Sequence, residues 1–147
     1  MKLQNFLELC EGAFTEILLD THIILWTITD DPRLTYKAKE LILNPENIIY
    51  YSVVSMWEVA IKYMAKKNMP LSGGEFLAWC EDAGYKKLPL DDRHVCALET
   101  LEHKDGEVEH NDPFDRMLLA QAKGDGMTLL THDSKFNSWN EPYYFIV

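Results

Sequence analysis

Short apolar runs alternate with helically spaced apolar positions along this chain, and most runs stop at a polar turn. Residues 17–19 (Ile-Leu-Leu) end at Asp20-Thr21 and read as a buried strand that stops on a carboxylate. Over residues 33–44, Leu34, Ala38, Leu41 and Ile42 fall at helical spacing, and Asn44-Pro45 is the stop signal. Residues 48–53 are rich in β-branched and aromatic side chains, as a strand requires. Ser55 is placed to cap the next helix, whose apolar stripe is Met56, Val59, Ala60, Tyr63 and Met64. That start puts Glu58 at the third helical position, the capping-box slot.

The second half follows the same rhythm. Ser72-Gly73-Gly74-Glu75 opens a helix ending near Gly84, residues 86–90 form a short strand or extended link, and Asp91 can cap a helix running to about Leu101. Residues 102–111 (EHKDGEVEHN) are polar and read as a loop. Asp112-Pro113 starts a helix with Phe114, Met117, Leu118 and Ala122 on its apolar face, and Gly124-Asp125-Gly126 ends it. Residues 127–130 form a strand that stops at Thr131-His132-Asp133, and residues 143–147 a last one. Strands alternating with helices predict an α/β fold with a parallel central sheet covered on both faces. Right-handed crossovers send all strand carboxyl ends to one edge. Asp20 and Asp133 leave that edge, while Glu58, Asp112 and Asp115 lie in the first turns of helices whose amino ends can face it.

Composition adds bounds rather than detail. At 147 residues, 47% of them hydrophobic and 26% charged, the chain has the size and balance of one globular domain. Apolar stretches such as Ile23-Ile24-Leu25-Trp26 are too short to cross a bilayer, and Glu8 and Glu11 interrupt any export segment, so a cytoplasmic protein is expected. Cys10, Cys80 and Cys96 are odd in number and widely spaced, which suits free thiols. Fourteen Lys and Arg against 24 Asp and Glu give a net charge of -10, the opposite of a protein that holds nucleic acid by bulk attraction. A polyanionic substrate then needs metal ions or a local basic patch. The surplus acid fits either a basic protein partner or plain solubility.

Several carboxylates brought to one crevice repel one another unless cations compensate them or some stay protonated. Oxygen-only donors favour hard ions such as Mg2+ or Mn2+. Two such ions about 4 Å apart suit phosphodiester hydrolysis of RNA or DNA. Each acid alone is weak evidence: Glu58 and Asp112 both fit helix starts, whereas Asp20 directly after a buried strand has no ladder role. Thr21 and Thr131 can hydrogen-bond a carboxylate or act as caps. His22 and His132 flank the acids, Lys62 is one turn from Glu58 as in an ordinary i, i+4 pair, and Arg116 can reach either RNA or an acidic neighbour.

The segments LLDTHIILW (18–26), VSMWEVAIK (54–62), HNDPFDRMLLAQA (110–122) and LLTHDSKF (129–136) together resemble the PIN domain, specifically the VapC-type toxins of bacterial toxin-antitoxin pairs. The resemblance covers about residues 17–140. It implies a Rossmann-like parallel sheet and a Mg2+- or Mn2+-dependent endoribonuclease acting on transfer or ribosomal RNA, bound by an antitoxin protein and forming a homodimer. The family's acids fall here on Asp20, Glu58, Asp115 and Asp133, with Asp112 an accessory ligand or a cap and Thr21 and Thr131 accessory hydroxyls. Residues 17–147 are then the PIN domain, and residues 1–16 an extension in which Leu3, Phe6, Leu7 and Cys10 fall at helical spacing. The chain departs from the family pattern in that extension and in the long acidic loop before Asp112.

Two other function classes are weighed against this one. A phosphohydrolase or phosphoacceptor on a similar sheet needs a second acid in a D-x-D arrangement, but position 22 is His. A catalytically silent module that only engages an antitoxin would be marked by loss of acids, and all four are present. A G-x-S-x-G elbow and a phosphate-binding loop are both missing from the sequence.

Overall fold

A computed structural model describes residues 15–106 and 109–147 of the chain. In chain order the elements are β1 (Thr15–Leu19), α1 (Thr21–Thr29), α2 (Tyr36–Leu43), β2 (Asn47–Ser52), α3 (Val53–Met64), α4 (Gly73–Asp82), β3 (Lys86–Leu88), α5 (Asp92–Leu98), α6 (Pro113–Asp125), β4 (Thr128–Thr131), a 3-10 turn (Ser134–Ser138) and β5 (Tyr144–Ile146). Capping follows the local chemistry the sequence predicts. Ser72 and Glu75 close a reciprocal capping box on α4, Asp112 caps α6 with Pro113 at its first position, and Gly126 ends α6 in the left-handed region at φ 67°.

The five strands form one parallel sheet in the order β3-β2-β1-β4-β5. Chain order therefore runs outward from β1 in one direction, then reverses to β4 on its other side. The carboxyl ends of β1 and β4 flank this topological switch point, where open α/β sheets hold their ligands. Both sheet faces are covered, so adjacent residues of a strand enter different cores. Ile17 and Leu19 pack with α1, α2 and α4 on one side, and Leu18 with Leu118, Phe136 and Trp139 on the other. All three are fully buried, each contributing about 1.5–3 kcal/mol. A near-continuous apolar run is the signature of such a strand.

The structure departs from the sequence reading in three places. No polar turn follows β1: Asp20 caps α1 directly, and Ile23, Ile24, Leu25 and Trp26 are buried inside that helix. A helix hydrophobic on nearly every side leaves no amphipathic period to detect. Ser52, not Ser55, caps α3, because β2 passes straight into the helix and Ser52 Oγ accepts the Val54 N–H at 3.0 Å. Glu58 thus lies a turn deeper than the capping-box slot. The buried face of α3 is Val54, Ser55, Glu58 and Val59, while Tyr63 and Met64 of the expected stripe are exposed. The expected helical spacing at Leu3, Phe6, Leu7 and Cys10 lies outside the described residues, as do residues 107–108 of the acidic loop.

Candidate metal centre

Asp20 anchors the crevice. It is 2% exposed at the end of β1, and its backbone N–H donates to the Leu130 carbonyl at 2.9 Å, which stitches β1 to β4 at the switch point. Its carboxylate accepts two hydrogen bonds: from the Thr21 N–H at Oδ1, 2.8 Å, and from the Thr131 hydroxyl at Oδ2, 2.7 Å. Thr131 Oγ1 also accepts the Asp133 N–H at 3.1 Å, so one hydroxyl links the two strand-end acids. Thr21 Oγ1 donates to Ser55 Oγ at 2.8 Å, joining α1 to α3 one turn before Glu58.

Glu58 is also 2% exposed. Lys62 donates to Oε2 at 2.6 Å, the i, i+4 pair, while Oε1 is buried with no hydrogen-bond partner. Burial opposes the charge on Lys62, but its bond to Glu58, with the fields of Asp112 and Asp115, raises the ammonium pKa overall. The Ser52 hydroxyl donates to Oε1 of the buried Gln121 at 2.5 Å, which fixes the start of α3 against α6. Asp115 sits in the first turn of α6, and Asp133 caps the 3-10 turn through the Lys135 N–H at 2.9 Å. Asp112 is exposed and spends Oδ1 on the Phe114 and Asp115 N–H groups, at 2.9 and 3.0 Å.

Electrostatics ties these positions together. Burial first, then the charges of Asp115 and Glu58, push the Asp20 carboxyl up to about 7 against the opposing bonds from Thr131 and Thr21. Asp115, Asp133 and His110 each offer a donor atom within 4.8 Å of the others. The fold thus brings Asp20, Glu58, Asp115 and Asp133 to one crevice, with both threonines bonded into it. Asp112 stands at its rim as a helix cap.

The flanking residues divide. His22 is exposed, and His132 meets Trp26 edge-on and lies against the Val147 carbonyl. Arg116 buries its Nε without a partner. Beside Glu58 a groove of about 520 Å³ is lined by His22, Trp26, Asp31, Arg33, Lys62 and Lys67, with Arg33 paired to Asp31 at 2.8 Å and Lys62 to Glu58 at 2.6 Å. His110 is the residue that sequence reasoning missed. Its signals were a place two residues before a helix-capping Asp and at the head of the HNDPFDRMLLAQA segment, at the end of a stretch read as a polar loop.

A parallel sheet whose switch-point crevice collects buried carboxylates defines a Rossmann-like α/β domain with an acidic crevice. The sequence profile of the PIN domain matches residues 17–141, and the chain belongs to the PIN domain family, whose members are generally nucleases. No curated protein matches the chain. Among solved structures, a chain of the VapBC2 complex of Rickettsia felis, crystallised on a DNA fragment from its promoter, is similar with TM-score 0.63 and 17% identity over 90% of this chain and 98% of that one. A domain of a functionally unknown protein from Methanocaldococcus jannaschii is similar with TM-score 0.51 and 18% identity, over 90% and 91%. At such identity the likeness is one of fold.

Proposed function

We propose that this protein is a metal-dependent endoribonuclease, the toxin of a toxin-antitoxin pair, in which Asp20, Glu58, Asp115 and Asp133 hold one or two Mg2+ or Mn2+ ions. The observation that carries the reading is the loaded state of the crevice. A carboxyl pushed up to about 7 by burial and then by the charges of Asp115 and Glu58, beside a buried Glu58 oxygen without a partner, is a donor set suited to a cation. All-oxygen donors fit a hard divalent ion, which when bound would supply an activated water and neutralise charge at the scissile phosphate. The chain's own residues do the rest. Thr131 and the Thr21 N–H orient Asp20, Lys62 holds one oxygen of Glu58, and the neighbouring groove carries Lys67 as a cation toward a polyanion.

The toxin role and a protein antitoxin as partner draw support from the fold likeness to VapBC2. With a net charge of -10, RNA is held by metal, groove and shape more than by bulk attraction, which suits a folded transfer or ribosomal RNA. Residues 17–147 are the PIN domain, which acts as a homodimer in the cytoplasm. No described helix is long and apolar enough to cross a membrane. The test is expression and purification of Asp20→Asn with Asp115→Asn: growth arrest and Mg2+-dependent RNA cleavage are expected to vanish while the fold persists. Undiminished cleavage by the pure double variant would overturn the assignment.

A further inference from the structure

One buried imidazole beside the acids plays no part in the reading above. His110 is 4% exposed, and three contacts fix its ring. The Trp139 indole N–H donates to Nδ1 at 3.3 Å, Phe136 meets the ring edge-on at 4.7 Å and 89°, and Nε2 lies 2.9 Å from Asp115 Oδ2. Trp139 is itself held, 1% exposed and stacked on His103 at 3.8 Å.

An indole nitrogen can only donate, so Nδ1 must present its lone pair. The single proton of the neutral ring is then on Nε2, and the contact with Asp115 is an N–H donating to a carboxylate. By distance alone His110 would join Asp115 and Asp133 as a third ligand. As bonded here it does not, because with Nδ1 accepting from Trp139 the Nε2 atom facing the acids carries the proton and has no lone pair to give a cation.

Resting on the proposed metal site, we infer that His110 is a positioning residue: aimed by Trp139, it donates from Nε2 to fix the rotation of the Asp115 carboxylate and stays outside the ligand set itself. Two consequences follow. The Asp115 carboxylate is held in place before the cation arrives, as outer partners of metal ligands commonly arrange. The donor set also remains all oxygen, which suits Mg2+ or Mn2+ and withholds the nitrogen that would strengthen Zn2+.

Three measurements on the full chain test this. Long-range 1H–15N spectra of the metal-free wild type are expected to show the His110 proton on Nε2; a proton on Nδ1 overturns the inference, and this readout needs no substitution to fold. Calorimetric Mn2+ titration is expected to show His110→Leu weakened about 10–100-fold, and His110→Gln, whose amide can both donate to Asp115 and accept from Trp139, within about threefold of wild type. Equal weakening by both, or by neither, overturns it. Trp139→Phe frees Nδ1 to take the proton and Nε2 to ligate, so the Zn2+ to Mn2+ affinity ratio is expected to rise about tenfold; an unchanged ratio overturns the role of Trp139. Failure of the wild type to cut RNA would count against the proposed function while leaving these readouts intact.

Discussion

Replacing Asp20 by Asn is expected to stabilise the metal-free protein at neutral and alkaline pH, although it removes a residue at the centre of the site. Asp20 is 2% exposed, and its carboxyl is pushed from 3.8 to about 7, first by burial, then by Asp115 and Glu58. Between those values the folded state binds a proton that the unfolded chain has released, so stability falls as pH rises through this window. The stability is fully present below 3.8 and lost above about 7. Holding the proton roughly three pH units longer corresponds to about 4 kcal/mol at 1.36 kcal/mol per unit. Asn escapes that loss but weakens the bonds from Thr131 and the Thr21 N–H, by about 1–2 kcal/mol in all. The net gain is about 2 kcal/mol, or about 4–8 °C in Tm for a chain of this length. Thermal melts in EDTA from pH 5 to 9 measure it. The wild type should lose stability relative to Asp20→Asn as pH rises to about 8, and saturating Mn2+ should reverse the order. A wild type that is the more stable of the two at pH 8 without metal would refute the reasoning.

Two further substitutions separate roles at the rim of the site. Lys62→Met removes the ammonium 2.6 Å from Glu58, so metal-free stability should fall by about 1–2 kcal/mol while Mn2+ affinity rises several-fold, both read by melts and calorimetry. A fall in Mn2+ affinity would show Lys62 helping rather than competing. Asp112→Ala should cost about 1 kcal/mol of stability and Asp112→Ser a few tenths, with RNA cleavage by Asp112→Ser near wild type; a loss of cleavage in the Ser variant would make Asp112 a ligand and not only a cap.

The sequence by itself determined the order of the strands, most of the helices between them, the parallel α/β class and a set of acids at strand ends and helix starts, though not α1, whose nearly all-round apolar surface carries no period. These features follow from local chemistry: an apolar run that stops at Asp20 or at Thr131-His132-Asp133 is legible because burial of a strand and its exit to a turn are written in adjacent residues. Asp112-Pro113 and the Ser72 to Glu75 box were legible for the same reason. The start and buried face of α3 were not, since Ser52 and Ser55 are equally good caps in one dimension and only the packing of α3 against α1 and α6 selects Ser52. The tertiary structure alone decided how the acids are handled. The Thr131 hydroxyl reaches Asp20 across 111 residues of chain, Ser52 reaches Gln121 across 69, and His110 finds Trp139 across 29. Such bonds leave no period and no spacing behind them. They exist because the sheet order places β4 beside β1 and seats the loop before α6 on the 3-10 turn, so long-range topology, rather than any local preference, fixes the protonation of Asp20 and the partners that orient the acids around it.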